Sequence, residues 1–232
     1  MDQKRLIPTE LWNGYSAAPV SSPPCHLFVI SAPSGAGKTS LVKALRGRLP
    51  NLGVSTSHTT RQARSTEQNG REYFFVDRAE FDRMVDRGEF LEHAQVFDNF
   101  YGTSRGQLEE KLAAGQDVVL EIDWQGARQV RSAMPQCRSI FILPPSRDAL
   151  RQRLNARQTD SPAVIERRLA DAVGDMSHHA EFDYVVVNDD FDRAVDELVA
   201  IVQGRGEGLR AGRPELSKVL ADLVEFPAPR RT

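Results

Sequence analysis

From residue 27 the chain alternates short apolar runs with stretches in which apolar side chains return every three or four positions. The runs at 27–30, 117–123, 138–143 and 182–188 read as core strands, and 117–123 delivers acids to its carboxyl end. The longer stretches read as helices. One from Thr39 sets Leu41, Val42, Leu45 and Leu49 on one face before Pro50 stops it. Another is capped by Asp77 with Glu80 three residues on, turns Phe81, Met84 and Val85 inward, and stops at Gly88. Further helices are predicted over 147–157, from about 162, and over 191–202. Shorter strand candidates stand at 52–57, 72–76 and 89–96, and 99–104 reads as a turn leading into a helix that ends at Gly115. Strands alternating with helices predict an α/β fold, a mostly parallel sheet flanked by helices. Residues 1–24 hold prolines and small polar residues without period and are expected to form a flexible leader. Beyond Gly204 the composition turns to Arg, Gly and Pro, so 205–232 reads as a tail, mostly surface, with a short helix allowed at 214–224.

Between the first strand and the first helix lie Ser31, Ala32, Pro33, Ser34, Gly35, Ala36, Gly37, Lys38, Thr39 and Ser40. Gly35 and Gly37 permit backbone angles that a side chain would obstruct, so successive N–H groups can point at one anion with a helix N-terminus behind them. Lys38 is placed to reach the β- and γ-phosphates of a nucleotide, and the Thr39 hydroxyl to hold Mg²⁺. Ala32 stands where such loops carry their first glycine. The Gly37-Lys38-Thr39 end and the strand–loop–helix setting are what the chemistry requires, and they predict a three-layer fold of the P-loop NTPase type.

Length, charge and cysteines narrow the function. The 232 residues suffice for a well-buried core and suggest one domain of ordinary size or one with a small insertion. A formal net charge of −2 argues against a nucleic-acid coat or a polybasic membrane binder, so positive potential must be local. No apolar run reaches the roughly 18 residues of a membrane span, and the first residues lack the apolar stretch of a signal peptide. Cys25 and Cys137 form neither a redox pair nor a metal cluster, which fits a reduced, cytoplasmic setting and packing roles. His178 and His179 read as a surface pair and Trp124 as packing. A homo-oligomer is compatible with the sequence, although no exposed apolar stripe names an interface.

The segment from His58 to Tyr73 is too polar and arginine-rich for a plain crossover, and suggests a small anion-binding insert. Arg61 and Arg64, three apart, can converge on one phosphate with forked hydrogen bonds. Tyr73 and Tyr101 can donate their hydroxyls to the same group. Glu67, Glu92, Glu121 and Asp123 are candidate acceptors, because a guanine presents N1–H and an N2 amino group that a carboxylate can take together.

Several of these residues stand in a fixed pattern. Val54-Ser55-Thr56-Ser57-His58-Thr59-Thr60-Arg61-Gln62-Ala63-Arg64, then Glu67, Gly70 and Tyr73, resembles the guanylate kinase signature. Residues 88–94, 99–104, 120–126 and 183–189 continue the resemblance, which runs from about Leu27 to Val202. It implies an enzyme transferring phosphate from ATP, with Mg²⁺, to GMP. It also implies a core (about 25–55, 116–146 and 166–204 within a domain of 25–204), a GMP-binding insert (about 56–104) and a mobile lid (about 147–165). Carried over by position, Ser57, Arg61, Arg64, Tyr73 and Tyr101 would hold the GMP phosphate. Glu92, Gly102, Thr103, Glu121 and Asp123 would surround the guanine. Arg153 and Arg157 match lid arginines, Arg168 matches the arginine on the following helix, and Asn188 matches a position beside adenine. Ala63, Glu121 and Gln158 depart from the usual proline, aspartate and glycine. Two other readings suit the same architecture: a phosphopeptide-binding module, which typically loses the loop and lid residues kept here, and a kinase for another phosphorylated acceptor, which the purine-facing acids oppose.

Overall fold

The computed structural model describes residues 26–96, 98–155 and 162–224. In chain order the elements begin with β1 (Leu27–Ser31), α1 (Lys38–Arg48), β2 (Leu52–Val54), β3 (His58–Thr59), β4 (Phe74–Phe75) and α2 (Arg78–Asp86). β5 (Phe90–Val96), β6 (Asn99–Ser104), α3 (Arg105–Ala113), β7 (Asp117–Glu121), α4 (Trp124–Ala133) and β8 (Arg138–Leu143) follow. The chain then forms α5 (Arg147–Asn155), α6 (Pro162–Met176), β9 (Tyr184–Val187), α7 (Phe191–Val202) and α8 (Ser217–Val224). Five strands make a parallel sheet in the order β2-β7-β1-β8-β9. The chain leaves β1 toward β2 on one side and later reaches β8 on the other, so the order reverses at β1. Such a switch point opens a crevice at the carboxyl ends of the strands. Register places Glu121 of β7 beside Ile30 of β1, just before the glycine loop.

Alternation along the strands divides the core between the two faces of this sheet. Phe28, Ile30, Val119, Ile140, Ile142 and Val186 pack against α1 and α7. Leu27, Val29, Val118, Leu120, Phe141, Leu143 and Val185 meet side chains of α3, α4, α5 and α6 on the opposite face. The predicted α/β sandwich is therefore the observed one. Cys137 is buried in the second layer, and its burial pushes the thiol up to about 11, in keeping with a packing role; Cys25 lies outside the described residues. Among the described residues no helix is long and apolar enough to cross a membrane.

A second, four-stranded sheet, β4-β3-β6-β5, stands apart from the first and closes on a small cluster of Phe81, Met84 and Phe90. It corrects the expectation of a turn at 99–104. Those residues form β6, antiparallel to both β3 and β5. The glycine that suggests a turn serves close approach instead, because a Cβ at Gly102 would come within 2.8 Å of the Phe90 ring. The candidates at 52–57 and 72–76 shorten to β2 and β4, and 117–123 ends at Glu121. Helix α4 is a further finding. The carboxylate of Asp123 accepts from the Gly126 N–H at 2.8 Å as its N-cap, and Ala127 and Val130 face the core.

The tail is also corrected. Residues 205–224 lie against the sheet: Arg210 bridges Tyr184 beside β9, Arg213 donates to the Val185 carbonyl at 2.7 Å, and Leu216 and Leu223 enter the main core. Asp222 accepts from the first N–H of α5 at 3.0 Å, while Arg147 returns a bond from Nε to the Leu223 carbonyl at 3.2 Å. Each helix end thereby receives the charge its dipole favours. Leu223→Ala should destabilise the protein by about 2–5 kcal/mol in a denaturant titration, as a core deletion does. A merely superficial tail would lose no more than about 0.5 kcal/mol.

Candidate active site

The turn after β1 owes its shape to two glycines. Gly35 and Gly37 have φ of 90° and 94°, and Gly37 is the left-handed cap of α1. No side chain caps α1, so its first N–H groups remain directed at the cleft. Neighbours leave no room for larger residues. A Cβ at Gly37 would lie 2.6 Å from Nδ2 of Asn188, and one at Gly35 would lie 2.9 Å from Leu150. Asn188 donates from Nδ2 to the Ala36 carbonyl at 2.7 Å, and Arg153 donates to the Asn188 carbonyl at 2.8 Å. These two side chains thus back the loop from behind.

In front of it, a cleft of about 850 Å³ gathers Ala32, Pro33, Ser34, Gly35, Gly37, Lys38, Thr39 and Ser40 with Ser57, Tyr73, Glu92, Tyr101, Glu121 and Asp123. Lys38 is central. Its Nζ donates to the Ile122 carbonyl at 2.8 Å, and burial lowers its pKa while Glu121, Asp123, Glu92 and Asp175 oppose that shift. The acids answer to the same physics. Glu92 is 2% exposed, and burial pushes its carboxyl up to about 7 although the Thr103 hydroxyl donates to it at 2.6 Å. Asp123 is raised by burial against the cap bond from Gly126.

The arginine loop is organised by an internal pair. Arg61 forks onto Glu67 at 2.8 and 3.0 Å, and the Arg64 N–H donates to Glu67 at 2.8 Å. Both Glu67 oxygens are thereby committed to this loop, and the hydrogen bond from Arg61 leads in holding its carboxyl below the usual range. The Arg61 guanidinium lies 5.4 Å from the centre of the Tyr73 ring, which meets Tyr101 edge-on at 5.9 Å. Arg61, Arg64 and Glu67 are not among the residues that line the cleft, and the Arg64 side chain is largely exposed. Thr103 and Gly102 belong to β6 beneath Glu92, and Arg168 lies on α6 outside the cleft lining, where its neighbour Arg167 contributes instead. Arg157 and Gln158 lie outside the described residues.

Asp175 is a lining acid that no motif singled out, and Trp124, expected to serve packing, lines the cleft as well. Asp175 accepts from Trp124 Nε1 at 3.1 Å, and burial pushes its carboxyl up to about 6. Trp124 lines the cleft and stacks on His178 with ring centres 3.6 Å apart, so His178 is no free surface residue. Arg128 covers the indole and pairs with Glu181, which also binds His178. Helical spacing could have found Asp175, which lies one turn from Asp171 on α6.

A glycine loop between a parallel strand and a helix, with a half-buried lysine beside acids in one cleft, defines an α/β protein of the kind that binds nucleotide phosphates. The family model described as Guanylate kinase matches residues 25–205. The guanylate kinase of Methylococcus capsulatus is 59% identical over 198 residues, covering 85% of this chain and 97% of that protein. The guanylate kinase of Escherichia coli O157:H7 is 54% identical over 204 residues, covering 84% and 98% respectively. The crystal structure of guanylate kinase from Anaplasma phagocytophilum superposes with a TM-score of 0.67 at 36% identity, covering 86% of this chain and 96% of that one. The chain belongs to the guanylate kinase family.

A carboxyl whose folded pKa lies above its unfolded value stabilises the fold fully at low pH, and that contribution fades as pH rises through the folded value. For Glu92 the window runs from 4.5 to about 7. Glu92→Gln should therefore raise stability relative to the parent by more at pH 8 than at pH 4.5, by a few kcal/mol at most. Denaturant midpoints at the two pH values check this; an equal difference at both would contradict the raised pKa.

Proposed function

We propose that the chain transfers the γ-phosphoryl group of ATP to GMP, and to dGMP, giving ADP and GDP. Membership of the guanylate kinase family supports the reaction. One observation carries the reading: a single cleft is lined by the glycine loop and Lys38 together with Glu92, Glu121 and Asp123. An oxygen of the GMP phosphate attacks the γ-phosphorus, and the bond from that phosphorus to the β–γ bridging oxygen breaks. The attacking oxygen is already anionic, so no side chain has to remove a proton. The protein supplies in-line placement and neutralisation of charge on the transferring group.

Lys38 serves the β- and γ-phosphates, which requires it to leave the Ile122 carbonyl. Ser57, Arg61, Arg64, Tyr73 and Tyr101 hold the GMP phosphate, with Glu67 as the brace of Arg61 rather than a reader of the base. Glu92 and Asp123, supported by Thr103, Gly102 and Glu121, accept from the guanine. Arg153, which must leave the Asn188 carbonyl to do so, neutralises charge from the lid side with Arg157 and Arg168, and Asn188 supports the loop beside the adenine. No residue assigned here reads the ribose 2′-hydroxyl, hence dGMP. The donor set fits a magnesium ion brought in with ATP. Thr39 offers an exposed hydroxyl at the cleft, and among the described residues no group of three acids or histidines forms a cage of its own. The ion's remaining ligands would be phosphate and water oxygens, and when bound it would draw charge from the phosphoryl group. Residues 56–104 act as the GMP-binding insert, 147–165 as the lid and the remainder of 25–204 as the core, in a cytoplasmic enzyme.

A coupled assay of ADP formation with ATP and Mg²⁺ against GMP, dGMP, AMP, UMP and CMP tests the reading. Turnover is expected with the two guanine nucleotides alone. Turnover with another acceptor would remove the assignment of the acids, and silence with GMP still bound would make the chain a binding module.

A further inference from the structure

We infer that Gln129, on α4, is a positioning residue that sets where Glu92 meets the base, an inference that rests on the GMP kinase reading above. β5, which carries Glu92, is the outer strand of the second sheet. An outer strand presents N–H and C=O groups with no neighbouring strand to take them. At His93, next to Glu92, the Gln129 amide takes both. The His93 N–H donates to Oε1 at 3.2 Å, and Nε2 donates to the His93 carbonyl at 2.8 Å. One side chain thus does the work of a strand and fastens the insert to the core.

The fastening has a consequence because of where α4 begins. Asp123 caps the helix through the Gly126 N–H, and Gly126 lies against Glu92 so closely that a Cβ there would collide with Oε2. Gln129 is three residues further and shares that face of the helix. Asp123, Gly126 and Gln129 therefore form one ruler along α4 against which Glu92 is set. The β5–β6 ladder cannot do this unaided, since its register shifts between Phe90 and Glu92.

Gln129→Met keeps the length of the side chain and removes both bonds. With GMP varied at saturating ATP, KM for GMP should rise roughly five- to tenfold. With ATP varied at saturating GMP, kcat and KM for ATP should stay within about twofold. The same substitution in an E92Q background should add little, because Gln129 acts through Glu92. An unchanged KM for GMP in Q129M, or an undiminished effect in the E92Q background, would overturn the inference. Absence of GMP-dependent ADP formation in the parent protein would instead refute the reading on which it rests.

Discussion

The ammonium of Lys38, half-buried and held on the Ile122 carbonyl, is the contact on which the rest of the cleft depends. A cation that has lost part of its hydration persists only where opposite charge and hydrogen bonds replace it. Here Glu121, Asp123, Glu92 and Asp175 supply the charge. The dependence is mutual. Glu92 and Asp123 are themselves raised by burial and lowered by the lysine, so each side is tolerable because the other is present. Under the proposed function a phosphate entering the glycine loop would compete for the lysine, while a base bearing N–H donors would offer the acids a replacement. The two substrates of a GMP kinase carry those two chemistries.

The fold supplies the geometry for this balance. Parallel pairing of β1 with β7 sets Glu121 beside the strand that feeds the loop. Asp123 then spends part of its carboxylate on starting α4, and α4 in turn meets β5 through Gly126 and Gln129. Behind the loop, Leu150 and Leu154 of α5 pack on Gly35, and Arg153 and Asn188 hold the Ala36 turn. The C-terminal residues reach the same helix from its other end, through Asp222 and Leu223. The loop between β3 and β4 carries Arg61 and Arg64, and Glu67 braces both, which under the proposed function would preorganise them for the acceptor phosphate.

Much of this is legible in the chain. The loop, the inward leucines of α1, the cap at Asp77 and the acids at the end of β7 follow from spacing and residue type. So does the placing of Ser57, Tyr73, Glu92 and Tyr101 near one another, once the pattern of residues 54–73 resembles a known family. What escapes is set by long-range contact. Asn99 and Gly102 carry turn chemistry, and only the ring of Phe90 makes that glycine a strand residue. Helix α4 is short and half polar, and its cap is a residue that motif reading reserves for the ligand. Glu67 looks like a free acceptor until folding brings Arg61 onto it. The arginine-rich residues beyond 204 suggest surface, yet Leu216 and Leu223 are buried because α6 and the sheet provide a face for them.

The central claim is that the buried acids and the base of GMP exchange charge for hydrogen bonds. It is tested most directly by calorimetry of GMP binding near pH 7 in buffers of different ionisation enthalpy. Under the proposed function Glu92, pushed up to about 7 by burial, would ionise on accepting both N–H donors of guanine. The observed enthalpy should therefore vary with the buffer and report release of a fraction of a proton on binding. An enthalpy independent of the buffer would mean that Glu92 does not change its charge, and would contradict the account of how the cleft reads its acceptor.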